Sequence, residues 1–245
     1  MPTGSPWTEI RVVAETGSTN DDVAALARAG APAGLVLVAE AQTAGRGRLD
    51  RTWTAPARSG LTFSVLLRPA SIATDRWGWL PLLTGSAVAT AVREVAGIDA
   101  VLKWPNDVLV GGQKLAGILV QRVEPDAAVI GIGLNVTATT DQLPPGATSL
   151  VEHDSTTTDR NTVLFAVLRE LAISYQSWID LDGDAEASGI SQRYRELCST
   201  VGHPVRVELG GGTVLTGLAE SVDTRGQLVV DGTHIIAGDV LHVRR

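Results

Sequence analysis

Cysteine is almost absent: Cys198 is the single one in 245 residues. That excludes an internal disulfide and fits a reducing, cytoplasmic setting. No apolar run reaches the roughly 18 residues of a membrane span. The first residues, Met1-Pro2-Thr3-Gly4-Ser5-Pro6, carry neither the basic nor the apolar stretch of a secretory signal. The four histidines, His153, His203, His234 and His242, are scattered, and none pairs with Cys198 or a carboxylate at zinc spacing. No Ser-His-Asp or Cys-His arrangement stands out. The chain is also short of positive charge. A formal net charge of -7 disfavours broad nucleic-acid binding.

Against that acidic background one stretch is basic: Gly45-Arg46-Gly47-Arg48-Leu49-Asp50-Arg51-Thr52-Trp53. Glycine lets a backbone approach a ligand closely. Arginine presents a planar fork of donors matched to carboxylate and phosphate oxygens. Trp53 adds a flat apolar face. Such a loop suits a small anionic ligand such as a nucleotide; the alternative is a solvated basic turn.

The flanking pattern is that of a mixed α/β chain whose apolar content, 44%, is enough for a large core. Residues 10–14 and 35–39 read as short strands. Ser18, Thr19 and Asn20 precede an apolar-periodic stretch, where they cap a helix, face a polar ligand, or do both. Residues 61–68 read as a strand and 81–95 as a helix stopped by Gly97. Trp77 and Trp79 fit the core or an interface. Residues 101–103 run into the turn Trp104-Pro105-Asn106-Asp107. A hairpin follows, with Gly111-Gly112 at its tip. Lys114 lies just past that tip, either solvated or facing a site as a fixed positive charge. Residues 128–136 form another strand, where Gly131 and Gly133 mark close approach of a backbone or a ligand. No helix pattern follows Gly131-Ile132-Gly133, so a dinucleotide-binding fingerprint is rejected. Pro144-Pro145-Gly146 opens an irregular connection, then helices are expected at 163–179 and 185–197. From Val201 the texture changes to short β runs with turns at Gly210-Gly211-Gly212, Arg225-Gly226 and Asp231-Gly232. The expected strands, 205–209, 214–220, 227–230, 234–237 and 240–243, suit a small barrel-like module. Some forty residues rarely fold alone, so this module is expected to dock on the larger part.

The order Ser18-Thr19-Asn20, Gln42 with Gly45-Arg46-Gly47-Arg48, Lys103-Trp104-Pro105-Asn106-Asp107, Lys114-Leu115-Ala116-Gly117-Ile118 and Gly131-Ile132-Gly133-Leu134-Asn135 resembles the biotin protein ligases. The match runs from about residue 10 to the end. Each motif alone is weak; five in order are specific. The resemblance implies an α/β (α+β), mixed-sheet catalytic domain over residues 1–199 and an SH3-like β-barrel domain over 200–245. It implies formation of biotinyl-5′-AMP from biotin and ATP, then transfer of biotin to a lysine of a biotin carboxyl carrier domain of an acetyl-CoA or acyl-CoA carboxylase.

By family position, Lys114 and Arg48 would be catalytic. Ser18, Thr19, Asn20, Gln42, Arg46, Gly47, Arg48, Lys114 and Gly117 would hold biotin. Arg46, Arg48, Arg51, Trp53, Lys103, Asn106 and Asn135 would hold ATP, and Asn135 could instead simply end its strand. Mg²⁺ would accompany ATP, with Asp107 either its partner or a turn cap. Asp50 departs from the glycine found in many members and puts a carboxylate beside a phosphate-handling loop. The first strand starts by about Ile10, leaving no room for an N-terminal DNA-binding domain, so neither DNA binding nor a repressor role is expected. A monomer or weak homodimer off the membrane is expected. Two other readings compete. Lipoate or octanoyl transfer would use the same fold, but Cys198 lies away from the motifs. A nucleic-acid-binding β module is opposed by the acidic balance and the lack of aromatic-basic clusters in residues 201–245.

Overall fold

The computed structural model describes residues 5–48, 51–209 and 212–242. Asp50, the Gly210-Gly211 part of the first C-terminal turn, Val243 and the first four residues lie outside that set. The larger sheet has seven strands: β1 (Glu9–Val13), β2 (Leu35–Ala39), β3 (Gly60–Leu67), β4 (Val101–Lys103), β5 (Asp107–Val110), β6 (Gln113–Val123) and β7 (Ala127–Asn135). Their spatial order is β1-β2-β3-β7-β6-β5-β4. Only β1 and β2 run parallel, joined by helix α1 (Thr19–Arg28). Every other pair is antiparallel.

The strands at the centre of the sheet are apolar at nearly every position because both faces are covered. Successive side chains alternate between faces. Leu35, Leu37, Leu66 and Val129 pack with Val23, Ala24 and Ala27 of α1. Val36, Val38, Val65, Leu67, Ile130 and Ile132 join the main core on the other face. That face is covered by α2 (Trp79–Ala96), itself packed on α3 (Arg160–Asp180). Trp77 and Trp79 belong to this core, as expected.

Local chemistry sets the ends. Ser18 caps α1, its hydroxyl accepting from the Asp21 N–H at 3.5 Å. Gly97 stops α2 at φ 69, a left-handed turn that favours glycine. Gly111 and Gly112, at φ 57 and 80, turn the β5–β6 hairpin. Helix α3 starts earlier than expected because the Asp159 carboxylate accepts from the N–H groups of Asn161 and Thr162. Helix α4 (Ile190–Leu197) starts later than expected. Asp184 holds a turn by accepting from the N–H groups of Glu186 and Ala187, and Gly189 is left-handed.

The C-terminal strands are β8 (Pro204–Glu208), β9 (Val214–Val222), β10 (Leu228–Val230), β11 (Thr233–Ile235) and β12 (Asp239–His242). They form one sheet in the order β11-β10-β9-β8-β12. This antiparallel sheet is consistent with the expected SH3-like module; no pairing of β11 with β12 occurs among the described residues. Short β11 contributes only three residues before the chain turns into β12. The module docks as expected. Its Val205, Val207, Leu228 and Val230 belong to the main core. Trp79 and Trp104 donate their indole N–H groups to the Thr224 and Gly226 carbonyls, each at 3.1 Å. No helix among the described residues is long and apolar enough to cross a membrane.

Candidate active site

Toward the arginine loop the α1-facing side of the sheet changes character. Following Leu66 and Val129 along their strands, the same face carries Ser64 and Thr62 on β3 and Gly131 and Gly133 on β7. Gly117 of β6 lies opposite Gly133. Removing large side chains there leaves a cavity between sheet, α1 and loop. The glycines leave room for what sits over them. A Cβ on Gly131 would lie 2.1 Å from Asn20 Oδ1, and one on Gly133 would lie 2.3 Å from Trp53 Cε2. A Cβ on Gly117 would lie 3.1 Å from Lys114 Cε.

One end of the cavity is neutral and polar. Thr19 donates to Gln42 Oε1 from its backbone N–H at 2.8 Å and its hydroxyl at 3.1 Å. Ser64 Oγ lies 2.8 Å from Thr19 Oγ1 and 2.7 Å from Asn20 Oδ1, and its one proton serves one of them at a time. Asn20 donates to the Leu119 carbonyl at 3.3 Å. Ser18, Thr19, Asn20 and Ser64 are buried. Placing so many hydrogen-bonding groups out of water in one wall suits a ligand with its own donors and acceptors.

The other end is cationic. Residues 45–48 pair back on residues 51–53: Trp53 N–H donates to Gly45 O at 2.9 Å and Gly47 N–H donates to Arg51 O at 2.7 Å. A Cβ on Gly45 would lie 2.4 Å from Trp53 O, so glycine is needed for the strands to close. Arg46 pairs with Asp21 at 2.9 Å, on the first turn of α1. Arg51 pairs with Asp239 of β12 at 2.5 Å. Arg48 donates to Asn106 Oδ1 at 2.9 Å, and Asn106 donates in turn to the Ile118 carbonyl at 3.2 Å. Lys114 Nζ lies 2.6 Å from Asp107 Oδ1 and 5.8 Å from the centre of the Trp53 ring. The Lys114–Asp107 contact is an ion pair by distance, while Asp107 Oδ1 has no aligned hydrogen-bond donor.

Electrostatics follow from these contacts. Burial pulls the Arg48 guanidinium below its ordinary range, against the neighbouring charges of Asp107 and Asp239. The hydrogen bond and charge of Asp239 push Arg51 up. Burial acts to raise Asp239, but the hydrogen bond and charge of Arg51, with Lys103 and Arg48, outweigh it and hold Asp239 low.

The cavity brings together Ser18, Thr19, Asn20, Gln42, Arg46, Gly47, Arg48, Arg51, Trp53, Asn106, Asp107, Lys114 and Gly117. Two expected residues lie outside its lining. Asn135 is buried at the end of β7 and donates its side-chain amide to the Thr148 carbonyl at 2.9 Å. Lys103 ends β4, where its charge acts on Asp239 and His242. The sequence reading missed Thr62, Ser64, Asp21, Gly238 and Asp239. Thr62 and Ser64 leave a trace, as polar residues interrupting an apolar strand. Asp239 leaves none, because it comes from another sheet. No cluster of three or more His, Cys, Asp or Glu that could hold a metal ion occurs among the described residues.

Comparison with known proteins gives a consistent picture. Residues 13–135 match the model of the Biotin/lipoate A/B protein ligase family. A biotin–[acetyl-CoA-carboxylase] ligase of Mycobacterium tuberculosis is 43% identical, over 98% of this chain and 91% of that protein. The bifunctional ligase/repressor BirA of Bacillus subtilis is 33% identical, over 87% of this chain but only 66% of the relative's length. The biotin protein ligase of Aquifex aeolicus, solved in complex with biotin and ATP, superposes with a TM-score of 0.79 at 28% identity, covering 98% of this chain and 100% of that one.

Proposed function

The chain belongs to the biotin/lipoate A/B protein ligase family, and from that premise we propose that it is an ATP-dependent biotin protein ligase acting on the biotin carboxyl carrier domain of an acetyl-CoA or acyl-CoA carboxylase. The observation that carries this reading is the two-ended cavity. Neutral donors and acceptors at Ser18, Thr19, Asn20 and Gln42 face one end, with Ser64 behind them bonded to Thr19 and Asn20, and Arg46, Arg48, Arg51 and Lys114 face the other. Biotin has the matching polarity: a ureido ring with two N–H donors and a carbonyl, and a carboxylate at the end of its tail. Lipoate would bring an apolar dithiolane, with nothing to offer the donors and acceptors of the polar wall. Such a mismatch is strongly rejected.

The chemistry then needs two anions brought together. A carboxylate oxygen of biotin attacks the α-phosphorus of ATP. The new acyl–phosphate bond forms as the bond to the bridging oxygen breaks, and pyrophosphate leaves with the electron pair. Lys114 is the fixed charge for the oxygens crowding around the α-phosphorus, and Arg48 holds the carboxylate in line. Arg46 and Arg51 hold the remaining phosphate oxygens. When bound with ATP, Mg²⁺ supplies further neutralisation of phosphate charge. Asp107, whose Oδ1 has no aligned donor and lies 2.6 Å from the Lys114 ammonium, would be the protein residue to hold it. In the second step the unprotonated ε-amine of the acceptor lysine attacks the acyl carbon, the amide forms, and AMP leaves.

The test is ATP–pyrophosphate exchange. It is expected to require biotin and to be unaffected by lipoate or nucleic acid. Exchange supported by lipoate and not by biotin would overturn the assignment. Transfer is checked by the mass gain of one biotinyl group on a carboxyl carrier domain.

A further inference from the structure

Lys114 sits where the sheet runs out. Its neighbour Ala116 pairs with Leu134 of β7, but β7 ends at Asn135, so no β7 residue lies beside Lys114. On the other side the β5–β6 register shifts between Val108 and Leu109, next to the residue that faces Lys114. A main chain at a sheet end with a bulge beside it would be expected to move.

The irregular connection opened by Pro144-Pro145-Gly146 takes the missing strand's place. Lys114 N–H donates to the Gly146 carbonyl at 2.8 Å, and the Lys114 carbonyl accepts from Thr148 N–H at 2.9 Å. Ala147 thereby forms a parallel bridge with Lys114. Thr148 is the fixed point of this strap. It is buried, its carbonyl accepts from the Asn135 amide at 2.9 Å, and its hydroxyl lies 2.8 Å from His153 Nε2. Next to it, Ser149 donates to the Ala138 carbonyl at 2.6 Å.

We propose that Thr148, locked by His153, is a positioning residue for Lys114: it fixes the main chain from which the Lys114 ammonium reaches the reacting phosphate. It touches no substrate and acts only through Lys114. The inference rests on the ligase reading above.

The test is single-turnover formation of the acyl-adenylate from saturating biotin and ATP. Thr148→Val keeps the branched shape and the main-chain bonds but loses the hydroxyl contact. It is expected to slow the step about tenfold, for a displacement well short of the 1 Å that costs ~10²-fold. KM for biotin and for ATP should stay within about twofold, since ground-state binding is untouched. Thr148→Ser should restore the rate. The decisive comparison is in a Lys114→Ala background. There Thr148→Val should cost nothing more, because residues acting through one group are not additive. The same fold-loss in both backgrounds, or a wild-type rate in folded Thr148→Val, overturns the proposal. If Thr148→Val fails to fold, His153→Ala removes only the outer partner and carries the same comparison. An unmodified chain that forms no adenylate from biotin would overturn the ligase reading itself, and the inference with it.

Discussion

The two glycines of β7 under the cavity separate stability from function, and a pair of alanine substitutions shows how. In Gly131→Ala the new methyl would lie 2.1 Å from Asn20 Oδ1 and 2.9 Å from its Cγ. Asn20 is buried at the start of α1 and bonded to Ser64 and the Leu119 carbonyl. Its short side chain has nowhere to go without giving up those bonds. Overpacking of this kind costs roughly 1–3 kcal/mol. In Gly133→Ala the methyl would lie 2.3 Å from Trp53 Cε2 and 2.6 Å from Nε1. Trp53 is on the hairpin loop, only half-buried, and its indole N–H has no partner to lose. The loop can lift at little cost to the fold. For a chain of this size a destabilisation of 1 kcal/mol lowers Tm by about 2–4 °C. Gly131→Ala is therefore expected to melt several degrees lower and to lose biotin affinity. Gly133→Ala should melt near the wild type while adenylate formation falls. Thermal unfolding and biotin-titrated pyrophosphate exchange measure both. A Gly131→Ala protein with wild-type melting and wild-type biotin affinity would refute the argument that Asn20 is immobile.

Other outcomes follow from single contacts. Lys114→Ala should leave the fold intact and slow adenylate formation by roughly 10²–10³-fold, measured in a single turnover; an unchanged rate would remove Lys114 from the chemistry. Asp239 is held below the ordinary carboxylate range, so the stabilisation from its pair with Arg51 is present above the unfolded-state pKa of about 4 and is lost as pH falls through the lower folded value. Arg51 is mostly exposed, which limits that stabilisation to about 1 kcal/mol at most. Asp239→Asn should flatten the acid limb of a stability-versus-pH curve by that amount and no more. Amide exchange at Gly47 and Trp53 should be fast in the free protein, because two main-chain bonds flanked by exposed ion pairs open cheaply, and slow with biotin and ATP bound. Equal protection in both states would mean the loop is preformed.

Much of this was legible because local chemistry and tertiary context agree. Ser18 caps its helix, Gly97 stops α2, and Gly111-Gly112 turns a hairpin, each for a reason contained in a few residues. The arginine loop stood out as a basic stretch on an acidic chain. What was not legible depends on partners far along the chain. Asp239 reaches Arg51 from 188 residues away, and nothing near it marks a site. Asn135 carries the right residue type to face a ligand, yet its amide serves the Thr148 carbonyl, a pairing set by the strap over Lys114. The C-terminal strands were visible, but whether their sheet closes depends on the lengths and register of its edge strands, which composition does not encode.

The arrangement of charge at the cationic end bears on the order of events. Four cations line the cavity against two carboxylates, Asp107 and Asp239, with Asp21 at the rim. Arg46, Arg51 and Lys114 each have a carboxylate within ion-pair distance. Arg48 does not, among the described residues; its partner is the neutral amide of Asn106. A half-buried cation whose one hydrogen-bond partner is neutral has lost solvation that the more distant Asp107 and Asp239 only partly offset, and its pKa is lowered. An arriving carboxylate therefore gains most at Arg48. The pairs of Arg46 and Arg51 are partly exposed and cost only about 0–1 kcal/mol each to break. Those arginines can leave Asp21 and Asp239 once a triphosphate offers denser charge. Biotin seated first, with its carboxylate on Arg48, would thus build the floor on which the nucleotide's phosphates recruit the remaining cations. Arg48→Lys tests this order: a point charge in place of the fork should weaken biotin binding in the absence of ATP, seen by titration calorimetry. Unchanged biotin binding, with only the ATP requirement raised, would place the carboxylate elsewhere and reverse the sequence of events.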